Sequence, residues 1–148
     1  MQVLVHAAGG RVTKCAKKEI GWRNEEGEYH YMQVTNIGRG DPLFQGLPKK
    51  IRVFQLHEEM VEPSICGDVL AFGDGYPVQV VKEGKAAYGI QGHIEIDETL
   101  LGVLLQTDPA LLKLDAGRII ADFNVINEDY FDCGTRLFSN FLDVVAEI

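Results

Sequence analysis

Residues 89–95 read Gly89-Ile90-Gln91-Gly92-His93-Ile94-Glu95, and the reading of the whole chain turns on them. A short apolar strand, residues 87–91, runs into a glycine, and a histidine and a glutamate then follow two residues apart. In α/β proteins, active sites collect at the carboxyl ends of strands. A histidine placed there can serve as a general base, and a nearby carboxylate can orient the ring and stabilise the imidazolium. From spacing alone, the plainer reading is a polar surface loop. Phe54-Gln55-Leu56-His57-Glu58-Glu59 forms a second polar end to an apolar strand. Grouping His57, His93, Glu58, Glu59 and Glu95 as metal ligands lacks any HExxH-type spacing, so no metal is expected.

Working outward, residues 50–57, 69–73, 77–82 and 87–91 are short runs rich in Val, Ile, Phe and Tyr, separated by turn residues. Connections this short predict antiparallel hairpins, because a parallel crossover needs a dozen residues or more. Gly73-Asp74-Gly75 reads as a hairpin turn; a phosphate loop would need a following helix that opens with Lys-Ser/Thr. Upstream, residues 29–35 alternate as a strand, and residues 38–48 are turn-rich. Within that turn-rich stretch Asp41 caps one helical turn with Pro42 at its first position. Residues 16–27 read as a loop with Ile20-Gly21-Trp22 as an apolar anchor rather than a binding aromatic. Residues 11–15 read as a short strand, and residues 2–8 as a helix stopped by Gly9-Gly10. Downstream, helices are predicted over 99–107 and 111–123. A final helix follows Asn127 as its cap, with Tyr130, Phe131, Leu137, Phe138, Phe141, Leu142, Val145 and Ile148 at helical spacing. This order predicts a single α/β or α+β domain.

The chain has 148 residues, a mass of 16.4 kDa and a formal charge of −8, one domain's worth of sequence. The acidity argues against nucleic acid and anionic membrane as partners. No apolar run approaches the ~20 residues a membrane span needs. The N-terminus lacks the basic segment of a secretory signal, and a cytoplasmic location is expected. Cys15, Cys66 and Cys133 are too few and too widely spaced for a disulfide framework. Buried, inert thiols are the plain reading of all three. Cys15 precedes Ala-Lys-Lys, whose charge would lower a thiol pKa, so a hydrolase with Cys15 as nucleophile stays open.

Several segments together are more specific. They are Gly9-Gly10-Arg11-Val12, Lys18-Glu19-Ile20-Gly21-Trp22, Asp41-Pro42-Leu43-Phe44-x-Gly46-Leu47-Pro48, Val53-Phe54-Gln55-Leu56-His57, Gly89 to Glu95, and Thr135 to Leu142. In order and spacing this set resembles the class I glutamine amidotransferases, above all the stand-alone proteins related to the glutaminase domain of GMP synthase. Ile94 stands where many members have Pro.

The resemblance implies an α/β fold of three-layer, flavodoxin-like type with an antiparallel β portion. It implies glutamine hydrolysis by a Cys-His-Glu triad without a cofactor, in which His93 is the base and Glu95 the orienting carboxylate. By position, Gln2, Leu56, His57 and Glu58 hold the glutamine substrate, although relatives have a small residue where Glu58 stands. The family's nucleophilic Cys would lie three residues before Met1. The chain is therefore expected to be the C-terminal portion of a glutaminase domain and inactive by itself. The expected partners are glutamine and either an ammonia-accepting synthetase or a second copy of the chain. A non-catalytic binding or regulatory module of the same fold, and a γ-glutamyl peptidase, are the alternatives.

Overall fold

The computed structural model describes residues 1–147. The elements are α1 (Gln2–Ala7), β1 (Arg11–Gly21), β2 (Tyr31–Val34), α2 (Asn36–Gly40), β3 (Lys50–Arg52), β4 (Gln55–Glu62), β5 (Asp68–Gly73), β6 (Val80–Glu83), β7 (Ala87–Ile90), α3 (Glu98–Thr107) and α4 (Ala116–Ala146). Single 3-10 turns lie at Pro42–Phe44 and Leu111–Lys113. Five strands form one sheet in the order β3-β2-β5-β6-β7, and β1 pairs with β4 in a separate ribbon. Every strand pair among the described residues is antiparallel. The short connections predict this for β5–β6 and β6–β7, whereas the expected pairing of residues 50–57 with 69–73 does not form, because β5 lies beside β2. Gly73-Asp74-Gly75 lies in the β5–β6 hairpin connection.

The sequence reading differs from the structure most at three places, besides a shift of the strand expected over 77–82 to Val80–Glu83 and a short helix at Asn36–Gly40. Residues 16–21 are strand, not loop. β1 runs on to Gly21 because β4 supplies a partner, through an irregular bulge. From Lys14↔Glu59 to Glu19↔His57, β1 advances five positions while β4 advances two. The expected single strand 50–57 is two strands in different sheets, β3 on β2 and β4 on β1. The break falls at Val53-Phe54, where Phe54 pairs with His93. Finally, α4 is one helix through Asn127, not two. Its cap is Asp115, which accepts from the Arg118 N–H at 3.1 Å. One buried stripe, Ile119, Phe123, Ile126, Tyr130, Leu137 and Asn140, runs along it. Ile148 lies outside the described residues.

The Asp41 cap forms as expected and does more. One carboxylate oxygen accepts from the Leu43 N–H at 3.0 Å and the Tyr88 hydroxyl at 3.0 Å, and the other pairs with Lys82 at 2.7 Å. The turn is thereby tied to the β6–β7 hairpin.

Two main cores meet along α4. Trp22, Phe54, Ile96, Leu101, Phe123 and Tyr130 belong to one. Met32, Leu43, Val53, Leu70, Val80 and Leu137 belong to the other. Trp22 is the anchor the sequence predicts, 2% exposed. It meets Phe54 edge-on at 4.8 Å and Tyr130 at 5.1 Å, and stacks on Phe123 at 5.9 Å. β7 is an edge of the five-stranded sheet. Beyond it, Phe138, Leu142 and Val145 on α4 are exposed or nearly half so. No described helix is long and apolar enough to cross a membrane.

Candidate active site

β7 delivers the chain to Gln91-Gly92, and the segment that follows is held from three sides. The backbone of His93 exchanges two hydrogen bonds with Phe54, at 2.8 and 3.0 Å. The buried Tyr130 hydroxyl donates to the His93 carbonyl and accepts from the Ile96 N–H, each at 3.1 Å. Burial pushes that phenol's pKa well above its usual value. Gly92 lies so close to Val53 that a Cβ there would come within 2.7 Å of it, so no larger residue fits without moving the strand break.

This frame presents His93, half-exposed, beside Glu95. His93 Nδ1 meets Glu95 Oε1 at 2.6 Å, and Glu95 Oε2 accepts from the Ile94 N–H at 2.8 Å. The bond to His93 holds the Glu95 carboxyl below the ordinary carboxylate range, against the effect of burial. With Nδ1 turned to the carboxylate, Nε2 is the nitrogen left to take a proton. This is the orientation that a base–carboxylate pair requires.

The four residues marked for substrate share one place. Gln2, Leu56, His57 and Glu58 line a cleft of about 320 Å³ together with Lys14 and Glu59. His93 and Glu95 do not line it. They connect to it through Phe54, two residues before Leu56. Glu95 borders a different cavity, an apolar one of about 540 Å³ walled by Tyr88, Phe131 and Phe138. The His57 ring is buried, with Nε2 at 3.2 Å from Glu19. Glu58 pairs with Lys18 of the β1 bulge.

Sequence reading missed Lys14, Glu19 and Gln79. Gln79 is fully buried and accepts from Gln55 Nε2 at 3.0 Å. Its backbone carbonyl accepts from the Gln91 N–H at 2.8 Å. A buried amide inside an apolar run, Pro77-Val78-Gln79-Val80, was the available signal.

The cysteines require two corrections. Cys66 is exposed, not buried. The Cys15 thiol pKa is raised, not lowered: burial and the nearby carboxylates of Glu19 and Glu59 raise it, and a Tyr76 hydrogen bond only partly opposes them. Lys17 and Lys18 instead pair with Glu25 and Glu58. Cys15 Sγ lies 3.7 Å from His57 Nδ1. Among the described residues, no thiol lies within hydrogen-bond reach of His93.

The family model for glutamine amidotransferase class-I matches residues 1–107. The chain belongs to that family. A GMP synthase [glutamine-hydrolyzing] of Thermosipho melanesiensis is 36% identical over 104 residues, 69% of this chain and 18% of that protein. A GMP synthase [glutamine-hydrolyzing] subunit from Pyrococcus furiosus is 36% identical over 85 residues, 55% of this chain and 43% of that one. A crystal structure of a glutamine amidotransferase from Thermotoga maritima superposes with a TM-score of 0.80 at 20% identity. It covers 95% of this chain and 58% of its own. The class I amidotransferase fold expected from the sequence is therefore the fold observed. The chain spans less than two thirds of each of these relatives.

Proposed function

We propose that this chain carries the base half of a glutaminase site, with His93 as general base and Glu95 as the carboxylate that orients it. The observation that supports this most directly is the 2.6 Å contact between His93 Nδ1 and Glu95 on a frame that fixes both. Glutamine occupies the cleft of Gln2, Leu56, His57 and Glu58, and none of the three cysteines acts as the nucleophile. In a nucleophile–base–carboxylate triad, the thiolate attacks the amide carbon and the base hands its proton to the leaving ammonia. The GMP synthase relatives favour an ammonia-accepting synthetase as the protein partner.

The test is a glutaminase assay beside a glutamine titration. The 148-residue chain releases no ammonia above background, because none of its three thiols lies within hydrogen-bond reach of His93 and a triad without its nucleophile loses on the order of 10⁶ in rate. L-glutamine shifts the amide resonances of Gln2, Leu56 and Glu58. Ammonia release at about 10 s⁻¹, an ordinary enzymatic turnover, would overturn the reading, and so would a cleft that ignores glutamine.

The edge strand β7 and the apolar stripe of Phe138, Leu142 and Val145 also support self-association, since bare edges and apolar patches recruit partners. At micromolar concentration the chain sediments above its 16.4 kDa monomer mass, and Phe138→Lys shifts it toward monomer. A wild-type monomer would refute the self-association.

A further inference from the structure

The segment Lys18-Glu19-Ile20-Gly21-Trp22 places Glu19 where the β1 bulge rejoins β4, opposite His57. The Glu19 side chain is only 12% exposed. A carboxylate is costly to bury unless partners replace its water. Here the partners are two imidazoles, His57 Nε2 at 3.2 Å and His30 Nδ1 at 3.9 Å. The other ring nitrogen of His57 faces the Glu59 carbonyl at 3.1 Å and the Cys15 thiol at 3.7 Å.

The surroundings hold this pair in place. The Tyr76 ring packs edge-on against the His57 imidazole at 5.4 Å. Its hydroxyl accepts from the Lys17 N–H at 3.1 Å and donates to the Lys17 carbonyl, so both backbone groups of Lys17 within the bulge are satisfied away from the ladder. Gly75 closes over Glu19, and a Cβ there would collide with the carboxylate.

We propose that Glu19 is a positioning residue for the glutamine cleft: its carboxylate accepts from His57 Nε2–H and fixes the ring, and with it the Leu56–Glu58 wall. The proposal rests on the reading of that cleft as the glutamine site. Glu19 itself is absent from the cleft lining and acts through His57. The two sequence motifs that contain Glu19 and His57 then have one joint task.

The test uses the whole chain, with histidine ring ¹⁵N shifts and an L-glutamine titration, for wild type, Glu19→Gln, Glu19→Ala and Gly75→Ala. In wild type, Nε2 of His57 carries a proton. Glu19→Gln keeps an acceptor oxygen and retains both that signature and most of the glutamine affinity. Glu19→Ala and Gly75→Ala lose the signature and weaken glutamine about tenfold, the scale of one lost hydrogen bond to a charged group. Gly75→Ala leaves Glu19 in the chain, so it decides the matter should Glu19→Ala fail to fold. An unchanged ring signature, or an unchanged glutamine affinity, in both disruptive variants would overturn the proposal. If wild type ignores glutamine while the ring signature still follows Glu19, the assignment of the cleft to glutamine fails and the positioning of the ring by Glu19 stands.

Discussion

Two histidine–carboxylate pairs sit on either side of Phe54, and they are built in opposite ways. His93 and Glu95 are two residues apart, meet at 2.6 Å, and remain substantially exposed, the His93 side chain by 37%. His57 and Glu19 are 38 residues apart, meet at 3.2 Å, and are nearly buried. An exposed pair can exchange a proton with a ligand. A buried pair surrounded by Tyr76, Gly75 and strand backbone is suited to holding a shape. The supports differ in the same sense. The first pair rests on an aromatic frame of Trp22, Phe54 and Tyr130, and the second on a strand irregularity.

The largest expected effect comes from removing the frame. Trp22→Ala empties the space among Phe54, Phe123 and Tyr130, and costs about 3–5 kcal/mol, as for other buried aromatics. The urea midpoint measures this. An equally stable variant would mean that the His93 segment does not depend on that core.

Tyr130→Phe sharpens the comparison. It leaves the Ile96 N–H without its partner, while the His93 carbonyl keeps the Phe54 N–H, at a cost of about 1–3 kcal/mol for one buried unsatisfied group. Hydrogen exchange at Ile96 accelerates while the His57 ring shifts stay where they are. A disturbance at His57 would show that the two pairs are not independent.

The smallest effect is at Glu95. Its folded-state pKa is lowered, first by His93. Such a group contributes stability that is fully present above the ordinary carboxylate range and is lost as pH falls through the folded value. Glu95→Gln removes this contribution, so the urea midpoints of wild type and variant converge as pH drops below that range. Because the Glu95 side chain is 58% exposed, solvent screening keeps the difference small. Midpoints that diverge on acidification would show that the pair repels in the folded state.

The residues of the first pair were legible because they lie close together in the sequence, although spacing alone reads as a polar loop and only the resemblance pairs them. Gly92, His93 and Glu95 fall at the end of one apolar strand, and the i, i+2 spacing sets both side chains on one face of extended backbone. The cap at Asp41 was legible because an acceptor two residues before its donor needs no distant partner, whereas the expected Asn127 cap gave way to Asp115 once packing ran the helix on.

The second pair was not legible, because Lys17 and Lys18 are charged and nothing within residues 16–21 marks them as strand. Only the β4 partner makes them one, and only the bulge turns Glu19 under His57. The division of residues 50–62 between two sheets, and the run of α4 through Asn127, were likewise settled by packing.

By itself, then, the sequence determined the elements whose signals lie within a turn or two of the chain: the β5–β6 and β6–β7 hairpins, the Asp41 cap and the aromatic anchor; the His93–Glu95 pair came from the resemblance, its spacing alone reading as a polar loop. Tertiary structure alone decided the β1–β4 register, the place of Lys14 and Glu59 in the cleft with Gln2 and Leu56–Glu58, and the buried Glu19–His57 contact. Strand pairing and burial depend on partners tens of residues away, and a side-chain pattern carries no record of which partner it will meet.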